Sequence, residues 1–192
     1  MVPRPAFLRY YNRMLQHRFI DSALRHPKKI AFIDRSLGRD VSYSQALLAS
    51  LILARRFRKM ERGRIGIMLP TSSAGGIAII AALMADRTPV MINYSTGAEK
   101  NCLYAQEQCD FRVIVTAKAL LEKAGCKQLP NMVFIEDILG ALGKSEKLLA
   151  FIKSKLPVSL LKRATGRSNL DSPAVILFTS GSEKEPKVVQ LT

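Results

Sequence analysis

The chain has 192 residues, 48% of them apolar, and 30 Lys/Arg against 15 Asp/Glu give it a net charge of +15. That length suits one domain or one large lobe of a bigger one, and the apolar share excludes a disordered tail. The positive charge comes with no zinc spacing, basic zipper or aromatic-rich binding strand, so nucleic acid is not an expected partner.

Charge is unevenly spread. Residues 1–64 carry 15 basic and 4 acidic side chains, residues 65–143 carry 6 and 7, and residues 144–192 carry 9 and 4. Basic flanks of this kind suit a solvated surface, a nucleotide polyphosphate, an acidic carrier protein or anionic lipid. The three cysteines, Cys102, Cys109 and Cys126, form no C-x-x-C pair and read as reduced, buried small residues. The N-terminus has no signal-peptide core, and the most apolar run, Gly75 to Ala85, is far short of the ~20 residues a spanning helix needs. A cytoplasmic protein is expected, at most peripheral to the inner face of a membrane.

In chain order, a helix is expected from Arg9 to Arg25, ended by His26-Pro27 because the residue before proline disfavours helix. Ile30 to Asp34 and Val41 to Tyr43 read as two short strands around a turn. Ser44 is the expected N-cap of a helix reaching Lys59, with Leu47, Leu48, Leu51 and Ile52 on one face. Arg55, Arg56, Arg58 and Lys59 in its last turn complement the helix dipole.

An alternation follows: strand Arg64–Leu69, helix Ala74–Ala85, strand Thr88–Ile92, a helix opened by a Thr96/Glu99 capping box and ending at Cys109, strand Val113–Thr116, helix Lys118–Ala124, and strand Met132–Ile135. Continuously apolar strands that alternate with helices predict an α/β fold: a mostly parallel sheet with helices on both faces. Lys144 to Leu156 reads as a basic amphipathic helix with a Leu148, Leu149, Ile152, Leu156 stripe, its character continuing to Arg163 beyond Pro157. It reads either as packed on its own domain or as a surface for anionic membrane or an acidic acyl-carrier protein. An exposed linker over 166–173, a buried strand Ala174–Phe178 and a strand Val188–Leu191 complete the chain.

The last two strands flank Thr179-Ser180-Gly181-Ser182-Glu183-Lys184-Glu185-Pro186-Lys187. Hydroxyls, a glycine and successive amides after a buried strand can cradle phosphate, with Lys187 as a mobile point charge and Pro186 stiffening its approach. The same composition also fits a plain surface hairpin. It is not a Walker-type loop, which needs G-x-x-x-x-G-K-[ST]. Asn93 follows a strand at the edge where parallel sheets bind ligands. His17 and His26 are isolated and have no triad partners.

Phe178, Thr179, Ser180, Gly181, Ser182, Pro186 and Lys187 match, in order, the signature [YF]-T-S-G-S-T-G-x-P-K-G, and the segment resembles the phosphate loop of the AMP-forming adenylating superfamily. PKKIAFI, VSY and RIGIMLPTSSAGGIAIIAALMADRTPVMINYSTG resemble that family's N-terminal region. PVMINYSTG and TSGSE look most like the ligase domain of 2-acylglycerophosphoethanolamine acyltransferase/acyl-acyl-carrier-protein synthetases. The resemblance implies the N-terminal lobe of an adenylate-forming large domain over 1–192. Within it lie an α/β core at 30–143, the basic helix and linker at 144–173, and the strand and phosphate loop at 174–192.

It further implies an acid–thiol ligase, an acyl-acyl-carrier-protein or acyl-CoA synthetase. ATP and a fatty acid give an acyl-adenylate, and the thiol of acyl-carrier protein or coenzyme A then takes the acyl group. By resemblance Thr179, Ser180, Gly181, Ser182 and Lys187 bind the ATP phosphates, with Mg²⁺ nearby; no catalytic residue and no metal ligand is assigned within the chain. The family's later motifs are not found before Thr192, so the chain alone is expected to bind ATP weakly or not at all and not to turn over. Lys184 and Val188 stand where the signature has glycine, and Glu183 and Glu185 add negative charge. The same fold could also serve another carboxylic acid, or a non-catalytic ligase-like interaction module.

Overall fold

The computed structural model describes residues 14–35, 38–165, 171–179 and 186–192. Its strands are β1 (Ile30–Asp34), β2 (Arg39–Ser42), β3 (Gly63–Ile67), β4 (Arg87–Met91), β5 (Ile114–Thr116), β6 (Met132–Phe134), β7 (Val175–Thr179) and β8 (Lys187–Leu191). Its helices are α1 (Leu15–Arg25), α2 (Tyr43–Phe57), α3 (Ser73–Met84), α4 (Ala98–Cys109), α5 (Lys118–Ala124), α6 (Ile135–Gly140), α7 (Lys144–Ser154) and α8 (Val158–Arg163). β1 and β2 form an antiparallel pair of their own. The other six make one sheet in the order β6-β5-β3-β4-β7-β8. All neighbours in it are parallel except β7 and β8. The α/β architecture expected from the alternation is therefore present.

Period-two alternation along the strands divides the core. Ile65 and Ile67 of β3 face a layer containing Ile20 of α1, Leu47 and Phe57 of α2, and Ala78 and Ala81 of α3. Met68, Val90, Ile114 and Ile176 face the opposite layer, where Cys102 and Ala105 of α4 pack with Leu120 and Leu121 of α5. Each fully buried large aliphatic side chain contributes about 1.5–3 kcal/mol. Nine of the twelve residues of α3 are buried, which explains why its sequence shows no polar stripe. Close packing needs small residues at several points, two of them in the heart of the sheet layer and the β3–α3 turn. A Cβ on Gly66 would meet the Phe111 ring at 2.6 Å, and one on Gly75 would meet the Pro70 carbonyl oxygen at 2.6 Å.

Several element boundaries differ from the sequence expectation. α2 is capped by Ser42, not Ser44: Ser42 Oγ accepts from the Gln45 N–H and the Gln45 side chain accepts from the Ser42 N–H, a reciprocal box that starts the helix at Tyr43. The Thr96/Glu99 box does not form. α4 instead begins after Gly97 in the left-handed region, at φ 63°. The side-chain amide of Asn101 donates to the carbonyls of Asn93 and Thr96 and so fixes the turn before the helix. The short helix α6 follows β6 directly and was not expected. The expected helix over 144–156 ends at Ser154, and α8 restarts after Pro157. The 9–13 part of the first expected helix and the 166–170 part of the expected linker lie outside the described residues.

Much of the basic cluster around residue 58 is structural. The Arg58 guanidinium donates to the carbonyls of Met84 and Ala164, at 2.5 and 2.7 Å. Arg87, 8% exposed, donates to the carbonyls of Ala85, Asp86 and Met60. These cations gather the helix-end carbonyls that otherwise lack partners. Burial, and in the case of Arg58 the neighbouring Arg87, lowers the pKa of both, and Asp86 opposes the shift.

Candidate phosphate-binding site

β7 owes its position to its apolar run. Ile176 is fully buried and registers with Val90 of β4, so β7 continues the parallel sheet. β8 returns antiparallel with Thr179 opposite Lys187 and Phe178 opposite Val188. The last pair before the 180–186 connection is thus Thr179 and Lys187, both exposed. The two residues face each other across the neck of the loop. Ser180, Gly181 and Ser182, together with Glu183, Lys184 and Glu185, lie outside the described residues.

The hairpin is anchored at both ends. At its base the Ala174 N–H donates to the Leu191 carbonyl at 2.7 Å, and the Thr88 hydroxyl donates to the Pro173 carbonyl at 3.3 Å. At its tip the Tyr104 hydroxyl of α4 donates to the Pro186 carbonyl at 2.8 Å. The Tyr104 ring meets Phe178 edge-on, centroids 6.0 Å apart. α4 therefore fixes both the strand entering the loop and the residue leaving it. Val188, where the signature has glycine, packs with Phe178 against the second core layer. It is a good strand residue at a half-buried position, so the departure strengthens the neck.

Because β3 to β7 are parallel neighbours, their carboxyl ends share one edge, and Thr179 lies on it. That edge is where open α/β sheets bind ligands. The loop after β4 is self-supporting: Asn93 Oδ1 accepts from the Ser95 N–H at 2.9 Å and the Ser95 hydroxyl at 2.8 Å. The Asn93 side chain thus shapes its own loop. Beyond β3, the buried Asp34 carboxylate accepts from the Ser73 N–H at 2.9 Å and the Ser73 hydroxyl at 2.5 Å. A carboxylate at the start of α3 is favoured by the helix dipole, and it pins β1 to the sheet edge.

The cysteines are poor nucleophiles. Burial pushes the Cys102 thiol up to about 12, and burial also raises Cys109 and Cys126. His17 sits 3.3 Å from the Thr165 carbonyl, and His26 caps α1. No group of three or more His, Cys, Asp or Glu that could hold a metal occurs among the described residues. Among them, too, no helix is long and apolar enough to cross a membrane. Sequence reasoning missed the Tyr104 clamp and the Asn101 brace. Tyr104 is the one aromatic of α4, and nothing in the local sequence marks its contact with the loop.

A family model described as AMP-binding enzyme matches residues 19–192. The chain belongs to the AMP-binding enzyme family. Solved structures agree on the fold. One is the nonribosomal peptide synthetase FmoA3 bound to alpha-methyl-L-serine-AMP, with 16% identity, a TM-score of 0.70 and coverage of 94% of this chain and 18% of that one. Another is the N-terminal subdomain of NpsA from Klebsiella oxytoca, with 18% identity, a TM-score of 0.68 and coverage of 94% and 42%. A third is the O-succinylbenzoate coenzyme A synthetase MenE from Bacillus subtilis in complex with AMP, with 16% identity, a TM-score of 0.66 and coverage of 91% and 41%. This AMP-binding enzyme lobe spans less than half the length of each. Its architecture is that of the N-terminal lobe of adenylate-forming enzymes.

Proposed function

We propose that the chain supplies the phosphate-binding lobe of an ATP-dependent, AMP-forming carboxylic acid ligase. The observation that carries this reading is the clamped hairpin neck, Thr179 beside Lys187, at the carboxyl edge of a parallel sheet in a chain of this family. The β- and γ-phosphates of ATP lie against Thr179, Ser180, Gly181, Ser182 and Lys187. Hydroxyl and amide donors with one ammonium stabilise the charge that develops as pyrophosphate departs. Lys187 supplies the cation and Thr179 a hydroxyl. Tyr104 positions the loop exit without touching the nucleotide. Mg²⁺ would enter with the nucleotide, held mainly by phosphate oxygens and water. Its chemistry is to neutralise phosphate charge.

Fatty acid is the proposed acid, and acyl-carrier protein or coenzyme A the proposed thiol. PVMINYSTG and TSGSE support that choice through their similarity to the acyltransferase/acyl-acyl-carrier-protein synthetase ligases. A second reading, a ligase for another acid, draws on the neighbours, which include an alpha-methyl-L-serine-AMP complex and an O-succinylbenzoate synthetase. ATP–pyrophosphate exchange over a panel of long-chain, aryl and amino acids separates the two, run on the longest natural protein that contains this chain. Exchange confined to long-chain acids supports the first. Exchange with aryl or amino acids alone supports the second, and no exchange with any acid removes both.

A further inference from the structure

Helix α7 is docked in an unusual way. It sits on α2 through its small and polar residues: Ala150 is buried, and Glu146 pairs with Arg56 at 2.5 Å and Arg55 at 3.9 Å. Three of its large apolar side chains point outward. Leu148 is 59% exposed, Ile152 52% and Phe151 51%, whereas Leu149 turns toward α2 and shares a small cavity with Leu51 and Ile52. A helix that uses its apolar stripe to fold shows the reverse pattern. α8 repeats the arrangement: Leu161 is fully buried and Lys162 pairs with Asp21 at 2.6 Å, while Leu160 and Val158 remain exposed.

Lys144, Lys147 and Lys155 lie among these outward groups. Residues 144–163 hold Lys144, Lys147, Lys153, Lys155, Lys162 and Arg163 against the single acid Glu146, which α2 already engages. The Lys155 ammonium stands 5.5 Å from the Phe151 ring centroid. Apolar side chains on a protruding helix, beside lysines whose stems extend past them, match a medium that is apolar inside and negatively charged at its surface. α7 spans only about 16 Å along its axis, so it would lie in the interface and not cross it.

We propose that α7 and α8 form a docking surface for an anionic lipid bilayer, with Leu148, Phe151 and Ile152 entering the headgroup boundary and Lys144, Lys147 and Lys155 meeting lipid phosphates. This surface goes beyond the ligase reading and does not depend on it.

The test is flotation of the chain with vesicles of phosphatidylcholine, with and without phosphatidylglycerol. The chain has no tryptophan, so Leu148→Trp places a single reporter on the surface. The expected result is binding to anionic vesicles only, a blue shift of the Trp emission, and weakening as salt rises. Phe151→Ser with Ile152→Ser leaves the charge unchanged and should reduce partitioning tenfold or more. Lys144→Gln and Lys147→Gln should each cost about fivefold at low salt. Because the five substituted residues are exposed, an unchanged circular dichroism melt shows that the variants fold. Vesicle binding insensitive to the Phe151/Ile152 pair would reduce the effect to the overall charge and overturn the proposal. So would an unshifted reporter, or a reporter shifted only by an acidic carrier protein or by self-association.

Discussion

Tyr104→Phe removes one atom and isolates one part of the clamp. The ring contact with Phe178 is retained, and the hydrogen bond to the Pro186 carbonyl is lost. A neutral hydrogen bond of this kind is worth about 0.5–1.5 kcal/mol net. At a part-buried site the middle of that range, about 1 kcal/mol, is the working figure, roughly a fivefold change in a local opening constant. For a domain of this size the melting temperature should fall by about 2–4 °C. The loss should be local. Ala174 and Thr88 tie down the base of the hairpin, whereas Tyr104 ties down its tip. Amide hydrogen exchange should therefore accelerate several-fold near Thr179 and Lys187 and stay nearly unchanged near Val175 and Leu191. Uniform acceleration, or none at the tip, would refute the claim that α4 positions the loop.

Asp34→Ala leaves the Ser73 N–H and hydroxyl without their buried acceptor and should cost about 3 kcal/mol or more in denaturant unfolding; Asp34→Asn, which keeps an acceptor, should recover part of that. Gly66→Ala places a Cβ 2.6 Å from the Phe111 ring and 3.1 Å from Ile92, so a loss of about 1–3 kcal/mol is expected, relieved by adding Phe111→Leu. Native-state thiol labelling should reach Cys126 first, with Cys102 and Cys109 protected until unfolding. Cys102 ionises near 9 when unfolded and near 12 when folded, so the folded state keeps its proton longer. Its contribution is fully present below pH 9 and is lost as pH rises toward 12; a Cys102→Ala variant should show a shallower alkaline fall in stability than the parent.

The parallel sheet was legible because β3, β4 and β5 are mostly buried on both faces and read as largely apolar runs; β7 reads the same way, although only Ile176 of it is fully buried. The sites of failure were local competitions. Ser42 and Ser44 both offer a cap, and the reciprocal partner Gln45 decides in favour of Ser42. Thr96 and Glu99 have the right spacing, but the left-handed Gly97 and the Asn101 brace take the turn instead. For the candidate site, motif order singles out Thr179 and Lys187, and the structure adds that they are register partners. Tyr104 was not legible, since its partner lies 82 residues away and nothing local marks the contact. The basic helix showed its stripe in sequence, but only packing reveals that Leu148 and Ile152 of it face outward while Leu149 turns toward α2, where Ala150 and Glu146 dock.

The most direct measurement follows amide resonances of the chain as MgATP is added, a readout that registers even weak binding. The predicted result is a set of shifts centred on Thr179 and Lys187 and their strand neighbours, abolished by Lys187→Ala while the fold is unchanged. Shifts clustered elsewhere, or a response at the hairpin that survives Lys187→Ala undiminished, would contradict the assignment of this neck as the grip on the nucleotide's phosphates.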